Sequence, residues 1–503
     1  MEKRLFLAIA LSMLVLLVWS MLVPKPDIPS KPTQGPSQSV QEAKTMYLDT
    51  GLTTKPAQIS LYKIKLPNTE IIFNTDQAAI QEVVFNEYQF YRYTLKYGFM
   101  LQESGLIFKQ EVPSKNHISF VHSDNNKKII KVFNFDNSNY SIELYISITN
   151  ISNTNISWNT PIVLGVLDFS GDQNQARFQD ITIGLEDKII HPNSHKDAIF
   201  NAVKFLGIRE RYFCSIIEPV SGNYGAYIKK INTHTTEIGL LPDNIKILPA
   251  QQIESKFLIY LGPQDLKKIT SINTTWAQIM HYGTFDFISK ILIQLLHFIY
   301  MFVHNWGLAI IILSIIIYII LYPLSLRQMR SMKEMQMLQP RIEELKTLYK
   351  DNPQKLNKAI MELYKEHKVN PFGGCLPMLL QIPIFFALYQ AFLRSITLKG
   401  GHFLWIKDLS QPDRVYTLQV NLPILGNEIN ILPIIMTIIM FIQQKLSSKM
   451  SSANMSEQQK IFLIVMPAMF LLIFYHMPSG LVLYWLINSL LMAIFQFRLS
   501  SSK

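Results

Sequence analysis

The feature that most constrains this chain is a charged segment, residues 324–370, enclosed between two apolar stretches. The second apolar stretch opens with the motif Asn370-Pro371-Phe372-Gly373-Gly374-Cys375-Leu376-Pro377. Apolar stretches of this length are typical of membrane-crossing helices, so a charged insert between two of them lies at the bilayer surface. We therefore expect the chain to handle something water-soluble at one face of a membrane.

Composition places the chain between a soluble protein and a pure bundle of membrane helices. Of its 503 residues, 49% are hydrophobic and 17% are charged, and the mean hydropathy is +0.16. This balance predicts a membrane protein with one soluble domain. The formal net charge of +11 does not indicate a nucleic-acid substrate, because the cations lie beside apolar segments and not in a basic domain with stacking aromatics.

Cysteine usage gives no sign of a disulfide framework or of a metal site. The chain has two cysteines, Cys214 in the soluble region and Cys375 at a membrane span. Neither has a second cysteine two or three residues away, as zinc motifs do. The sequence therefore predicts no metal and no cofactor.

The first 23 residues predict a membrane anchor. Lys3 and Arg4 precede an apolar run close to the roughly 20 residues that cross a bilayer, and they predict a cytoplasmic amino terminus. A cleaved signal peptide is the alternative, but the run lacks a small-x-small cleavage site and is too long for a signal core. Residues 24–56, with repeated prolines, predict a polar extended linker.

Residues 57–268 predict a large exported domain of antiparallel β-strands. Ile142, Leu144, Ile146 and Ile148 alternate with more polar residues, as in a half-buried strand. Similar short runs recur at hairpin spacing, which predicts a β-sandwich of about 200 residues. The anchor before it runs from inside to outside, so the domain is expected on the outer side.

Helical periodicity begins near residue 285. Asp286, Lys290, Gln294 and His297 form one polar stripe on an otherwise apolar segment, residues 285–303. This pattern predicts an amphipathic helix lying in the outer interface of the membrane. A membrane span is expected to follow at residues 304–323, ending at Pro323.

The charged segment 324–370 predicts a helical hairpin. Two helical stretches are separated by Asp351-Asn352-Pro353, where the proline can begin a new helix. Lysine and arginine outnumber the acidic residues, which places the hairpin in the cytoplasm. A flexible apolar edge is predicted along its first helix, made of Met329, Met332, Met335, Met337 and Leu338, and the candidate capture residues are Met329, Met332, Met335 and Leu338.

Four more spans are expected after the hairpin, which with 1–23 and 304–323 makes six. They are residues 371–394, 429–446, 460–476 and 480–498. The connecting segments are an outer loop 395–428, a cytoplasmic loop 447–459 and a cytoplasmic tail 499–503. Lys445, Lys449, Lys460 and Arg498 all fall on the cytoplasmic side in this topology.

The spans after residue 303 carry polar residues but no charged residue near their centres. The absence of charge disfavours a proton pump, voltage sensor or ion-coupled carrier. The candidate site residues are Ser314, Tyr318, Gln381, Thr437, Tyr484, Trp485 and Asn488. Polar side chains on several spans predict a shared hydrated hollow. The alternatives are helix-to-helix hydrogen bonding and, for Tyr484 and Trp485, an aromatic belt.

Several motifs in the chain resemble those of the YidC family of membrane protein insertases. They cover about residues 284–499 and include Asn305-Trp306-Gly307, Tyr322-Pro323-Leu324, Asn370-Pro371-Phe372-Gly373-Gly374-Cys375-Leu376-Pro377, Gln381-Ile382-Pro383, Leu404-Trp405-Ile406-Lys407-Asp408-Leu409 and Pro478-Ser479-Gly480-Leu481. The anchor and the large exported domain are similar to the Gram-negative type.

The resemblance implies a multi-pass protein of the bacterial inner membrane that inserts and chaperones nascent membrane proteins, alone or beside the Sec translocon. Five helices would form a hydrophilic groove open to the cytoplasm and to lipid, and the cytoplasmic hairpin would capture hydrophobic segments. The periplasmic domain would be an antiparallel β-supersandwich similar to sugar-binding domains, without implied catalysis. Nascent membrane proteins, membrane lipids, the Sec translocon and, as a further candidate, the ribosome are the implied partners.

The chain departs from the family pattern at one position. The family generally has an arginine eleven residues after the glycine of Asn305-Trp306-Gly307, where this chain has Tyr318. Attraction between a groove cation and an acidic client tail therefore does not carry over. We expect hydration and neutral hydrogen bonding to lower the free energy of moving a polar tail into the membrane.

Two other functions remain open from the residues alone. One is a membrane sensor whose exported domain binds a ligand and signals to the hairpin. The other is a sugar-active enzyme, for which the candidate side chains are His191, His195, Asp197 and Glu210. No paired-carboxylate or triad motif supports the enzyme, so we expect these four to have surface or core roles.

Overall fold

The computed structural model describes residues 60–501, except 112–113, 115, 137, 171–175, 351, 368, 370–375, 423–424 and 450–456. The predicted anchor 1–23 and linker 24–56 lie outside the described residues. What is described forms two parts, a helical bundle and a β-domain, which is called the outer domain after the side of the membrane predicted for it.

The outer domain consists of antiparallel strands up to residue 263. Strands β1 to β10 are Leu61–Lys65, Thr69–Asn74, Ala79–Phe85, Tyr91–Gly98, Lys109–Gln110, His117–Ser123, Lys127–Phe135, Ser141–Asn150, Ile156–Trp158 and Ile162–Asp168. Strands β11 to β19 are Asp180–Leu185, Ile189–Ile190, Ala198–Phe200, Val203–Arg209, Phe213–Pro219, Tyr224–Lys230, Thr235–Pro242, Ile245–Ile247 and Gln252–Pro263.

These strands form a large sheet and several smaller ones. The nine-stranded sheet has the order β12-β11-β14-β15-β19-β8-β7-β6-β5. Two four-stranded sheets have the orders β1-β2-β3-β4 and β10-β17-β16-β13, and β18 pairs with β9. Aromatic and β-branched side chains from the sheets fill one continuous core, in which Phe73, Phe120 and Phe133 make edge or tilted ring contacts. The predicted antiparallel β-domain is thus confirmed.

Strand β8 shows how the sequence pattern determines the sheet. The four alternating residues predicted to face inward, Ile142, Leu144, Ile146 and Ile148, are at most 3% exposed. Their neighbours Glu143 and Tyr145 are partly exposed, because successive side chains in a strand point to opposite faces. The predicted half-buried strand is therefore confirmed.

A short helical connection joins the outer domain to the bundle. Helix α1, Leu266–Ile272, is capped by Asp265, whose carboxylate accepts the backbone N–H of Lys267 at 2.9 Å. A 3-10 helix, Thr274–Ile279, follows. Its Trp276 is fully buried, and the indole N–H donates to Glu218 at 2.5 Å. The connection is therefore packed against the sheet.

The bundle contains the remaining helices. Helices α2 to α9 are Asp286–Val303, Trp306–Met337, Gln339–Leu348, Pro353–Glu366, Leu376–Arg394, Ile431–Lys449, Glu457–Phe474 and Ser479–Ser501. A two-stranded hairpin, β20 (Tyr416–Leu422) and β21 (Gly426–Ile429), lies in the loop before α7. Helix α9 packs against α3, α6 and α7, and α2 packs against α3 and α6.

Three helices among the described residues are long and apolar enough to cross a membrane, namely Asp286–Val303, Trp306–Arg327 and Ser479–Arg498. Shorter apolar helices lie at Ile431–Leu446 and Ile464–Phe474. By length and composition, the first of these helices could cross a membrane. The polar stripe of segment 285–303 predicts instead that it lies in the interface. Its exposed face is apolar, with Phe287 77% and Phe302 70% exposed, as lipid contact requires.

The expected helix end at Pro323 is not observed. Helix α3 continues through this proline to Met337. A proline removes one backbone N–H and bends a helix, but flanking turns still hold the helix together when tertiary contacts support it. Here Ser325, one turn from Leu321, donates its hydroxyl to the Leu321 carbonyl at 3.2 Å. The first arm of the hairpin is therefore an extension of the preceding helix.

The outer domain contacts the outer ends of the bundle helices through the turn between β14 and β15. Arg211 in this turn donates to the carbonyls of Leu393 at 2.8 Å and Ser410 at 2.9 Å. The adjacent Tyr212 hydroxyl lies 2.9 Å from the hydroxyl of Ser410. Lys399 packs over the ring of Tyr91, 3.9 Å from its centroid. These contacts hold the domain against the loop that covers the bundle.

Candidate functional site

One direct contact joins two of the predicted groove residues from different helices. The side-chain amide of Gln381 on α6 donates to the hydroxyl of Tyr484 on α9 at 2.6 Å. Tyr484 is fully buried, which favours a structural contact over a place in an aromatic belt. A hydrogen bond between membrane helices helps to fix their relative position, here between a buried hydroxyl and a partly exposed amide.

Three other predicted residues bond to the turn that precedes them. The hydroxyl of Ser314 donates to the Ile310 carbonyl at 2.7 Å, and that of Thr437 to the Pro433 carbonyl at 2.8 Å. The amide of Asn488 donates to the Tyr484 carbonyl at 2.9 Å. Such bonds satisfy a hydroxyl within its own helix. The hydroxyl oxygens and the Asn488 carbonyl remain able to accept a hydrogen bond from water or a client.

Tyr318 differs from these residues because its hydroxyl makes no hydrogen bond within the described residues, although the oxygen is buried. Its ring lies 6.3 Å from that of Tyr322, which in turn meets Phe495 of α9 at 5.1 Å. Gln496, the next residue of α9, is 6% exposed and its side-chain oxygen also lacks a described partner. The Tyr318 hydroxyl and the Gln496 side-chain oxygen can therefore each form a hydrogen bond with a client without losing an existing one.

Trp485 lies in an aromatic cluster. Its ring is 5.2–5.3 Å from those of Phe385, Phe470 and Phe474, which come from α6 and α8. Rings at such distances make favourable offset or edge contacts. The structure thus separates the adjacent Tyr484 and Trp485: Tyr484 joins the polar contact with Gln381, and Trp485 joins the apolar packing.

Two residues outside the predicted site join the outer loop to the bundle. Asp413 is 3% exposed and accepts three N–H groups, the indole of Trp405 and the backbone of Ile431 and Leu432 at the start of α7. Asn430 is fully buried and donates to the Tyr475 carbonyl at 2.8 Å. An amide residue directly before an apolar helix is a helix-capping signal that could have identified Asn430, whereas Asp413 is too far from α7 in the sequence for any local signal.

The glycines of two sequence motifs allow the outer loop to approach the helices closely. A Cβ at Gly307 would overlap the ring of Phe403, and one at Gly480 would lie 3.1 Å from the Leu409 carbonyl. Gly480 also donates its N–H to that carbonyl at 2.9 Å. The bundle is therefore covered on the side that faces the outer domain.

The hairpin has a small core of its own. Leu338, Ile342 and Leu363 are at most 8% exposed and pack between α4 and α5, with Met335 partly buried beside them. Leu338 therefore faces inward and does not belong to an exposed apolar edge. The side chains of Met329 and Met332 lie outside the described residues.

Other apolar hairpin residues face outward. Met337 is 67%, Leu348 70% and Met361 55% exposed. The edge expected from sequence includes both Met337, which is exposed, and Leu338, which is buried, because helix periodicity alone does not tell which face of α4 meets α5. A surface able to contact an apolar segment is present, and Met337 contributes to it.

The four side chains considered for a sugar-active enzyme have separate surroundings. His191 lies beside Asp180 and His281, and the ring of His195 makes a tilted contact with that of Phe169, with centroids 4.6 Å apart. Asp197 accepts the Lys230 backbone N–H at 2.6 Å. Burial raises the pKa of Glu210 to about 7, at the tyrosine-rich contact with the bundle. No pair of these four is brought together as an acid and a base.

Comparison with known proteins agrees with this architecture. Residues 298–503 match the family described as 60Kd inner membrane protein, and residues 108–295 match the YidC periplasmic domain. Together these two matches define the class of the chain, an inner membrane protein that carries a domain of the YidC periplasmic type.

Full-length relatives make the assignment more specific. A membrane protein insertase YidC of Geotalea daltonii is 30% identical over 536 residues, covering 98% of this chain and 97% of the relative. The protein of the same name in Geobacter metallireducens is 30% identical, covering 100% and 99%. A crystal structure of an active YidC insertase with its first transmembrane domain resolved aligns with a TM-score of 0.41 and 20% identity, covering 87% of this chain and 94% of that one. The chain belongs to the YidC family of membrane protein insertases.

Proposed function

We propose that this protein inserts hydrophobic segments of nascent membrane proteins into the inner membrane through a polar but uncharged groove. The observation that carries the proposal is the set of neutral polar groups buried among α3, α6 and α9. Tyr318 has a buried hydroxyl without a partner in the described structure, and Gln381 and Tyr484 bond across helices. These groups offer hydrogen bonds to a polar tail as it leaves water, which lowers a penalty of several kcal/mol per unsatisfied group.

The topology proposed for this activity has six spans, with the amino terminus and the hairpin 324–370 in the cytoplasm and the β-domain in the periplasm. The spans are 1–23, 304–323, 371–394, 429–446, 460–476 and 480–498, and the segment 285–303 lies in the outer interface. The distribution of lysine and arginine supports this orientation. The outer loop that covers Gly307 and Gly480 supports a groove closed toward the periplasm.

In this proposal the hairpin makes the first contact with a client. Met337, Leu348 and Met361 supply exposed apolar side chains on a cationic element, and the sequence pattern adds Met329 and Met332 as candidate capture residues. Flexible methionine side chains suit apolar segments of varied sequence. The Sec translocon and the ribosome are proposed partners that would deliver such segments. Insertion transfers a segment without a covalent reaction, so no catalytic residue is assigned.

Photocrosslinking to a ribosome-bound single-span client tests the groove. A crosslinker at Tyr318 or Thr437 should label the client, whereas one at Ile320, which is 67% exposed on the apolar outside of α3, should label it much less. Equal labelling from Tyr318 and Ile320 would show that clients contact the bundle without entering between its helices.

Deletion of the outer domain separates the insertase from the sensor alternative. A sensor needs its ligand-binding domain, so removal of most of residues 57–263 would abolish function. An insertase should retain most of its activity, because α2 to α9 remain. Loss of all insertion in a deletion variant that still reaches the membrane would favour the sensor.

A further inference from the structure

We propose that Asp180, His191 and His281 form a binding site for a divalent transition-metal ion, with zinc as the expected metal, where the outer domain meets its connection to the bundle. One ligand atom from each residue lies within 4.8 Å of the other two. Asp180 begins β11, His191 follows β12, and His281 lies just before α2. The site therefore does not depend on the groove.

The three residue types form a ligand set that zinc favours. Two imidazoles and one carboxylate, with water in the fourth position, are common around this ion. Ligand atoms around a tetrahedral zinc lie roughly 3–4 Å apart, because each is about 2 Å from the metal. Small side-chain rotations from the present separation of at most 4.8 Å bring the three atoms to that distance.

The two imidazole rings lie close together, as two ligands of one metal ion must. The ring centroids of His191 and His281 lie 3.9 Å apart at an interplanar angle of 63°. Thr182 lies 3.2 Å from Nδ1 of His191, which fixes the ring and leaves Nε2 available.

His281 gives a second indication. Its Nε2 lies 3.1 Å from Oδ2 of Asp180, so the imidazole and the carboxylate already face each other. A metal ion between the imidazole and the carboxylate would satisfy both groups.

Arg209 opposes metal binding and limits its strength. Its guanidinium lies 3.0 Å from Oδ2 of Asp180 and also donates to the carbonyls of Ile279 at 2.9 Å and His281 at 2.8 Å. The arginine positions the His281 backbone, but its charge repels a dication. We therefore expect micromolar affinity for zinc, weaker than that of a structural zinc finger.

Sequence spacing does not reveal this site, because its three ligands are far apart in the chain. Residues 180, 191 and 281 show none of the short spacings of zinc motifs. The fold brings them together, and a bound metal would join the edge of the nine-stranded sheet to the segment that enters the bundle.

Zinc retention by the full-length protein in detergent micelles tests the proposal. After chelator treatment, the protein is dialysed against micromolar zinc, and zinc per chain is measured by atomic absorption. The wild type and the control His195→Ala, which alters a histidine outside the cluster, should each retain one zinc more than His191→Ala. His281→Gln should show the same loss, and the affinity should fall more than about tenfold in both variants.

A structural readout accompanies the zinc measurement. Zinc should slow proteolysis of residues 264–284 in the wild type and in His195→Ala, but not in His191→Ala. His191 is exposed on one side, so its variant is expected to fold even if His281→Gln does not. Equal zinc retention by the wild type and His191→Ala would overturn the proposal and leave the three residues as an ionic cluster with Arg209.

Discussion

At the scale of single residues, Tyr318 stands where the resemblance to the family predicts an arginine. Its buried hydroxyl has no hydrogen-bond partner within the described residues. An unsatisfied buried hydroxyl costs about 1–3 kcal/mol. Tyr318→Phe should therefore leave the thermal unfolding midpoint unchanged or raise it, and client insertion should fall only slightly because other neutral groups share the interaction. A severe loss of insertion in this variant would show that the hydroxyl acts alone.

The contact between Gln381 and Tyr484 allows a double-mutant test. Gln381→Leu and Tyr484→Phe each break the 2.6 Å hydrogen bond and leave a buried partner unsatisfied. Each should lower the free energy of unfolding by about 0.6–2 kcal/mol, and the double variant should lose clearly less than the sum. Unfolding in detergent measures all three variants. Strict additivity would mean that the two side chains do not interact.

Lys131 predicts a pH dependence of the outer domain. The ammonium group is fully buried and donates to the carbonyls of Ala78 at 2.6 Å and Phe99 at 2.7 Å. Burial lowers the pKa of Lys131 from 10.5 to about 7. The unfolded chain therefore binds this proton more tightly, and the free energy of unfolding rises as pH increases above 7, by at most about 1.4 kcal/mol per pH unit.

Thermal unfolding of the full-length protein between pH 7 and pH 9, followed by β-sheet circular dichroism, measures this effect. Lys131→Met should reduce the rise, whereas Lys128→Met, a surface change on the same strand, should retain it. A rise of equal size in Lys131→Met would assign the pH dependence to other groups.

At the scale of elements, the hairpin has one buried and one exposed apolar surface. Met337, Leu348 and Met361 are 55–70% exposed, whereas Leu363 is 8% exposed in the hairpin core. Serine at the three exposed positions should weaken client crosslinking to the hairpin without changing its helix content. Leu363→Ala should instead destabilise α4 and α5, by about 2–5 kcal/mol if the core does not relax. Client capture undiminished by the triple substitution would show that this surface is not the capture site.

Elements were predictable from sequence where one local rule dominated. The alternation in β8 identified its buried face, and the apolar lengths located the helices of the bundle. Pro323 did not end its helix, because packing in the bundle overrode a local preference. Leu338 is buried in the hairpin core, because the partner helix that covers it is determined by tertiary structure and not by the local pattern.

At the scale of the whole molecule, the sequence motifs predicted the family, and full-length relatives confirmed it. The contacts between domains could not be predicted. Arg211 and Tyr212 lie 199 and 198 residues before Ser410 in the chain, yet both form hydrogen bonds with it. Pairings over such distances depend on the fold of both parts, and no local pattern encodes them.

The central claim is that neutral polar groups in the groove lower the free energy of inserting a client. The most direct test replaces Ser314, Tyr318, Gln381, Thr437 and Asn488 together with leucine. A matched control replaces five exposed isoleucines of the bundle with leucine, namely Ile319, Ile320, Ile438, Ile464 and Ile494. Insertion of a single-span client with a short polar tail into proteoliposomes is then measured. The account predicts near-background insertion for the polar set and near-normal insertion for the control, and normal insertion by the polar-set variant would contradict it.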